Sequence, residues 1–225
     1  MRIRDLHAMP ILGLLLGAAL SLSSGCESNV EARRDAALAY ERGDYERSAT
    51  LYEQVLERRP EDPEANLGLG KALLAAGETV PARSHLAIAY QHSWDHPNES
   101  YAVAGYLAEA MAQGSDTDRL FQLLRDRAET TGESRDYVRW GDYAMRFGDP
   151  DSAELAYRTA ARLSEGNDAE PYYKLALLYD SIGDASAADR RLRQAYGIAP
   201  HDAEIIAKLR ERHAVVGPSL ALPPD

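Results

Sequence analysis

Three histidines and an aspartate lie close together in the sequence, and their side-chain types could bind a metal ion. His92 and His96 are four residues apart, a spacing that places two imidazole rings on one side of a helix, and His85 and Asp95 lie nearby. Pro97 follows directly, so we expect the helix to end before His96 and the cluster to be split by a turn. Polar side chains at an exposed helix end are the simpler interpretation. A metal site at His85, His92 and His96 remains an alternative.

Other catalytic signatures are missing from the sequence. It contains no glycine-rich phosphate loop, no H-E-x-x-H motif and no G-x-S-x-G motif. The acid pairs Glu61/Asp62 and Asp149/Asp151 lie at predicted turns, where a carboxylate stabilises the start of the next helix. We therefore expect a protein that is not an enzyme and has no cofactor.

The amino-acid composition excludes some kinds of binding partner and some kinds of site. The chain has 225 residues, with 25 Lys and Arg against 36 Asp and Glu, and its net charge is −11. A nucleic-acid binder needs a basic surface to displace counterions, so no nucleic-acid partner is expected. A hydrophobic content of 45% is that of a folded globular chain. The single cysteine, Cys26, excludes an intramolecular disulfide and a multi-cysteine metal site.

The first 25 residues have the layout of a secretory signal. Arg2 and Arg4 precede an apolar run over residues 9–22, and small residues follow at Ser24 and Gly25. A transmembrane helix needs about 20 apolar residues, so this run is short for a membrane span. We predict a signal peptide over residues 1–25.

The lone cysteine stands at the expected cleavage point. Residues 22–26, Leu-Ser-Ser-Gly-Cys, resemble the lipobox of bacterial lipoproteins. The resemblance implies cleavage before Cys26, acylation of that residue with chains such as palmitate, and a short tether over residues 26–29. Glu27, rather than Asp, favours the periplasmic face of the outer membrane within that family. An ordinary secretory peptide cut nearby is the alternative.

Five glycines recur with a period near 34 residues, each between two helical patterns. They are Gly43, Gly77, Gly114, Gly148 and Gly183, and an acidic residue or a serine follows each one. Glycine suits the left-handed position that ends a helix, and the next side chain can cap the following helix. Each unit is therefore predicted to be a helix, a tight turn and a second helix.

The repeated pattern resembles the tetratricopeptide repeat (TPR). Small residues stand where two helices must approach closely: Ala36, Gly70, Gly141 and Ala176 on first helices, and Ala82, Ala153 and Ala188 on second helices. The resemblance implies an all-α, right-handed superhelical solenoid of about five repeats. We place them at residues 30–62, 63–96, 97–132, 133–167 and 168–202, followed by a capping helix at 203–216 and a disordered tail at 217–225. The third repeat is degenerate, with Arg119 where a small residue is expected.

In TPR proteins the first helices line a groove that binds peptides or proteins, so the resemblance predicts where a partner would bind. The predicted groove residues are Arg33, Tyr40, Lys71, Tyr101, Asp142, Met145, Tyr173 and Asp180. The family's clamp for a terminal carboxylate is not expected, because Ala37 and Gly68 stand where its asparagines would be. We expect a membrane-tethered scaffold in the cell envelope with an unidentified protein partner. A structural spacer or self-assembling subunit is the alternative, and the oligomeric state stays open.

Overall fold

A computed structural model describes the backbone of residues 17–224 and the side chains of residues 29–224; residues 1–16 and 225 lie outside the described part. Within that part the chain is all-helical. Its elements are α1 (Gly17–Glu41), α2 (Tyr45–Leu56), α3 (Pro63–Ala75), α4 (Thr79–Gln91), α5 (Pro97–Gln113), α6 (Thr117–Thr131), α7 (Ser134–Arg146), α8 (Pro150–Leu163), α9 (Glu170–Ser181), α10 (Ala185–Ile198), α11 (Ala203–Glu211) and a 3-10 helix (Pro218–Leu220). The predicted all-α repeat fold is confirmed.

Four of the five periodic glycines end a first helix in the predicted way. Gly43, Gly77, Gly148 and Gly183 have φ between +75° and +85°, a region that side chains with a Cβ rarely adopt. The following aspartate caps the next helix in three of these turns, as where Asp44 accepts a hydrogen bond from a backbone N–H of α2. Turn chemistry thus fixes the boundary between the two helices of a repeat.

The third glycine differs from the prediction. Gly114 has φ of −79°, and the next residue, Ser115, takes the left-handed conformation with φ of +57°. Helix α5 has 17 residues, longer than α3 with 13, and the turn falls one position later. The glycine pattern located this turn but assigned its strained position to the wrong residue.

The chain divides into two compact units, the first ending at Ser115 and the second beginning at Asp116. Unit 1 therefore contains α1 to α5, and unit 2 contains α6 to α11. Within each unit, neighbouring helices pack as antiparallel hairpins. Alanine and leucine dominate the buried positions, with Leu69 and Leu86 in unit 1 and Leu175 and Leu192 in unit 2 at most 1% exposed.

Close helix approach at the small residues is confirmed. A Cβ on Gly70 would lie 2.6 Å from Cγ of Leu86, and one on Gly141 would lie 2.4 Å from Cε1 of Tyr157. Real Cβ atoms do not approach other carbons so closely. Both pairs join the first and second helix of one repeat, α3 with α4 and α7 with α8. At each glycine, the space that a side chain would need is occupied by a side chain of the second helix, Leu86 or Tyr157.

One buried ion pair connects α6 to α7. Nε of Arg127 donates to Oδ1 of Asp136 at 2.7 Å, and these side chains are 4% and 1% exposed. The hydroxyl of Thr131 donates to the other carboxylate oxygen at 2.8 Å. The carboxylate is therefore held by two donors in a region that water does not reach.

The C-terminal tail is ordered over its described residues, contrary to our expectation of disorder for 217–225. Residues 218–220 form the 3-10 helix, and the backbone N–H of Leu222 donates to the carbonyl of Arg193 at 3.1 Å. Nε of Arg193 donates to the carbonyl of Leu220 at 2.8 Å, and Nε2 of Gln194 donates to that of Pro223 at 3.0 Å. Prolines restrict the unfolded tail, so docking it costs less conformational entropy than composition alone suggested.

The capping helix is shorter than expected. Helix α11 ends at Glu211, whereas we expect it to reach residue 216. Its start is as predicted, because the side chain of Asp202 accepts hydrogen bonds from the backbone N–H groups of Glu204 and Ile205. At the other end of the chain, residues 26–29, the expected tether, are part of α1.

Candidate functional site

A lysine held between two tyrosine rings marks the first-helix face of unit 1, which is formed by α1, α3 and α5. Nζ of Lys71 lies 5.0 Å from the ring centroid of Tyr40 on α1 and 5.1 Å from that of Tyr106 on α5. All three side chains are half-buried. A cation near the π-face of an aromatic ring is stabilised electrostatically, so the ammonium group is positioned by both neighbouring helices.

Burial affects the chemistry of this face. It raises the pKa of the Tyr40 hydroxyl above its ordinary value of 10.0, with smaller contributions from Tyr106 and Tyr45. The Tyr40 and Tyr45 ring centroids are 5.4 Å apart. The hydroxyl of Tyr40 is therefore neutral at physiological pH and can donate a hydrogen bond. We call Tyr40, Tyr45, Lys71 and Tyr106 the aromatic–lysine cluster.

The other predicted residues of unit 1 have structural contacts of their own. Nη1 of Arg33 lies 2.7 Å from a carboxylate oxygen of Glu64 and 3.4 Å from one of Asp62. Arg33 thus connects α1 to the start of α3, and this role explains its presence without a ligand. Tyr101 is half-buried in the first turn of α5 and already has an interaction partner within the chain.

In unit 2 the first helices are joined by a charged pair. Nζ of Lys174 on α9 lies 2.8 Å from Oδ1 and 3.1 Å from Oδ2 of Asp142 on α7. The hydroxyl of Tyr157 on α8 donates to the same carboxylate at 2.8 Å. Burial and, secondly, the neighbouring Asp142 carboxylate raise the pKa of Tyr157 far above its ordinary range. Tyr157 therefore stays protonated and acts as a permanent donor.

A second charged cluster connects α9 to α11. The carboxylate of Asp180 accepts a hydrogen bond from the guanidinium of Arg212 and lies 3.4 Å from Nζ of Lys208. Met145 and Tyr173, the remaining predicted residues, are half-buried and pack against the core of unit 2. Asp142 of α7 is thus paired with Lys174 of α9, and Asp180 of α9 is paired with Lys208 of α11 and with Arg212, which follows α11.

Sequence reasoning missed the partners that complete these clusters. Tyr106, Lys174, Lys208 and Arg212 were not predicted as site residues. The abundance of tyrosine, 13 in the chain against two Phe, was the available signal for Tyr106. For the cations, the signal was a basic residue 28 to 32 positions after an acidic one on the preceding first helix.

The histidine cluster is not brought together. Nδ1 of His85 is 2.9 Å from Oδ1 of Asn66, whose amide nitrogen donates to two backbone carbonyls, so His85 carries its proton on Nδ1. His92 is the C-cap of α4 and His96 the N-cap of α5. Within the described residues, no three His, Cys, Asp or Glu side chains are placed to share a metal ion. The metal alternative has no geometric support here.

The lipidation prediction falls mostly on residues that the structure leaves undescribed. Residues 1–16 of the predicted signal lie outside the described part, and so does the side chain of Cys26, whose backbone belongs to α1. Among the helices that are described, none is both long and apolar enough to cross a membrane.

Comparison with known proteins identifies the repeats. A model of the tetratricopeptide repeat matches residues 33–97, and a second such model matches residues 169–202. The cellulose synthase operon protein C of Escherichia coli K12 is 33% identical over 129 residues, as is its putative counterpart in E. coli O157:H7. The match covers 54% of this chain but only 11% of those much longer relatives.

Solved structures give the same fold. The crystal structure of MamA protein covers 85% of this chain and 99% of its own, with a TM-score of 0.58 and 19% identity. That of YrrB, described as a TPR protein with an unusual peptide-binding site, covers 87% of this chain and 98% of its own, with a TM-score of 0.55 and 15% identity. At these identities the likeness concerns the fold alone. Residues 33–97 and 169–202 of this chain thus match models of the tetratricopeptide repeat, and the described part of the chain has an all-α repeat fold.

Proposed function

We propose that this protein is a scaffold that binds a protein or peptide partner on its first-helix faces and is tethered to a membrane through a lipid on Cys26. The observation that carries the proposal is the aromatic–lysine cluster. Three successive first helices each contribute a side chain, and together they present rings and a positive charge. Half-buried aromatic side chains beside a charge are typical of protein recognition surfaces.

The chemistry of the cluster indicates the part of a partner that it would bind. The ammonium of Lys71 can bind a carboxylate of the partner, and the Tyr40 and Tyr106 rings can pack against aliphatic or proline side chains. On the first-helix face of unit 2, Lys174 is already paired with Asp142, and Lys208 and Arg212 with Asp180. A partner there would contact a surface whose charges are balanced, so, of the two first-helix faces, that of unit 1 is the proposed place for an acidic segment.

Two observations support a role in the cell envelope. The first is the signal-like segment that ends in the lipobox-like residues 22–26. The second is the 33% identity to a protein named for a cellulose synthase operon. We infer that the protein acts in assembling an envelope complex, with the outer membrane as its proposed location. More than one acyl chain on Cys26 would give the stable attachment that a scaffold needs.

Partner binding can be tested by photo-crosslinking in the source cells. A benzophenone side chain at position Tyr106 is expected to give adducts of defined mass, and Lys71→Glu in the same chain should abolish them. The control is the same side chain at Thr50, which is exposed on the second helix α2. Identical adducts from both positions, or adducts indifferent to Lys71→Glu, would contradict the proposal.

The anchor is tested separately. Cys26→Ala should move the protein from the membrane fraction to the soluble fraction, and mass spectrometry of the wild-type amino terminus should find acyl chains on Cys26. Membrane attachment that survives the substitution would refute the anchor and leave the partner-binding face unaffected.

A further inference from the structure

A cleft of 750 Å³ lies between α8 and α10 of unit 2, on second helices and away from the first-helix face. At its base are the buried side chains of Tyr172 and Leu175 from α9. Pockets of about 300–1,000 Å³ are large enough to bury several side chains or a short segment of chain. The cleft is therefore a candidate second binding surface, independent of the groove proposed above.

Three arginines outnumber two acidic residues, Asp151 and Glu154, in the lining of this cleft, in a protein whose net charge is −11. Arg158 and Arg162 line it from α8, and Arg191 lines it from α10. The nearby carboxylate of Glu154 accepts a hydrogen bond from the Tyr179 hydroxyl at 2.8 Å and lies 3.4 Å from Nη1 of Arg158. Glu154 is thus paired with Arg158, and Arg162 and Arg191 exceed Asp151 by one charge, so the lining is net positive and an acidic ligand is the complementary one.

The cleft also has an apolar element. Leu155 lines it and is 60% exposed, which makes it one of the most exposed large aliphatic residues in the described part of the chain. An aliphatic side chain of a ligand could cover Leu155, so that this side chain and that of the ligand are both removed from water. A ligand with only negative charges would leave this surface exposed.

The adjacent surface already binds an extended polypeptide, namely the tail of this chain. Ala221 has φ of −56° and ψ of 137°, an extended conformation. Helix α10 holds the tail by accepting the Leu222 N–H at the carbonyl of Arg193 and by donating from Gln194 to Pro223. A backbone carbonyl and a side chain of this helix thus bind main-chain groups of an extended segment, which is a peptide-binding mode.

Residues 223 and 224 of the tail lie beside the cleft. Gln194 is 2% exposed and joins the two regions, because its Oε1 accepts from Nη1 of Arg191 at 3.0 Å while its Nε2 donates to Pro223. On the opposite wall, Pro224 packs against Gly166, where a Cβ would lie 2.5 Å from Cγ of Pro224. Gly166 is only four positions beyond Arg162. The cleft therefore continues a surface that is already an interface with polypeptide.

From this continuity, and from the three arginines around Leu155, we infer that the α8–α10 cleft binds an extended acidic peptide segment with an aliphatic anchor residue from a partner protein. The guanidinium groups pair with the carboxylates of the segment, and its aliphatic side chain packs on Leu155. Leu155 and the three arginines lie on second helices, so the site does not depend on the groove function.

The test uses the purified full chain and a fluorescein-labelled peptide of alternating glutamate and leucine. Fluorescence anisotropy should show binding that weakens as salt rises, because exposed charge pairs are screened. Arg158→Glu combined with Arg162→Glu should weaken binding by about tenfold or more. The matched control is Arg42→Glu combined with Arg47→Glu, which changes the net charge equally at exposed positions of unit 1 and should leave binding unchanged.

Position is tested by crosslinking. A benzophenone side chain at Leu155 should capture the peptide, and one at Val80, a residue of α4 that is 62% exposed, should not. Lys71→Glu should have no effect, which separates this site from the proposed groove. The inference is overturned by absent binding at low salt, by equal loss in both double variants, or by equal capture at Leu155 and Val80.

Discussion

Replacing Gly141 with alanine should destabilise unit 2, although alanine is normally the better helix former. The added Cβ would lie 2.4, 2.6 and 2.8 Å from Cε1, Cδ1 and Cζ of Tyr157. Carbon atoms in favourable contact are about 3.5–4.0 Å apart, so the ring would have to move by about 1 Å. Tyr157 is 2% exposed and its hydroxyl is bonded to Asp142, which leaves it little room to do so.

Three effects determine how much Gly141→Ala changes the free energy of unfolding. Overpacking a core costs about 1–3 kcal/mol, and losing a hydrogen bond to a charged group costs up to about 1.5–3 kcal/mol. Better helix propensity returns about 1 kcal/mol. We therefore expect Gly141→Ala to lower the free energy of unfolding by about 2–4 kcal/mol. Urea denaturation followed by circular dichroism measures this quantity.

A double-mutant cycle tests the cause. Tyr157→Leu removes the rigid ring while keeping an apolar side chain, so Gly141→Ala in that background should cost less than about 1 kcal/mol or even stabilise. If the alanine costs the same in both backgrounds, the ring contact is not the reason for the glycine. If it stabilises the wild-type chain, the close packing of α7 on α8 is itself in error.

Three further perturbations have outcomes of defined sign. Burial lowers the pKa of His85 below 6.5, so the unfolded chain takes up a proton at this histidine before the folded chain does as the pH falls. The free energy of unfolding should therefore decrease below about pH 6.5. His85→Gln should flatten the pH dependence of Tm in that range, and identical curves for the variant and the wild type would contradict the prediction. Asp136→Ala leaves Arg127 buried without its carboxylate and should cost about 3–5 kcal/mol in urea denaturation, whereas adding Arg127→Met should recover part of this; no recovery would refute the uncompensated charge as the cause. Deleting residues 217–225 should lower the unfolding free energy by about 1–3 kcal/mol, and Gly197→Ala, whose Cβ would lie 2.5 Å from the carbonyl oxygen of Leu222, should destabilise only the chain that keeps its tail.

The fold could be predicted from the sequence because its determinants are local. A glycine with positive φ followed by a capping aspartate, as at Gly43 and Asp44, fixes a helix boundary through residues adjacent in the chain. The third turn was assigned to Gly114 rather than Ser115 because glycine is only the preferred residue for that conformation, not the required one. The tail was mispredicted for another reason. The tail is ordered by its contacts with α10, and these contacts cannot be predicted from the composition of residues 217–225.

The candidate site was predictable only in part, because it depends on contacts between repeats. First-helix positions such as Tyr40, Lys71 and Asp142 follow from the helical register. Which side chains then meet depends on the rotation of one repeat against the next. Tyr106 therefore meets Lys71, whereas Tyr101 was the predicted groove residue of the same helix.

The three lysines of the chain show how the two first-helix faces differ in charge pairing. Lys71, Lys174 and Lys208 lie on α3, α9 and α11, and the sequence has no others. Lys174 and Lys208 are each held by an aspartate of the preceding first helix, so a partner's carboxylate would have to compete with Asp142 or Asp180. Lys71 is held by aromatic rings, which stabilise its charge without neutralising it. The same residue type thus fastens helices together in unit 2 and remains able to bind an anion in unit 1. Lys71→Met should therefore weaken partner capture while changing the free energy of unfolding by no more than about 1–2 kcal/mol. A larger loss of stability in this variant would show that Lys71 also holds the helices of unit 1 together.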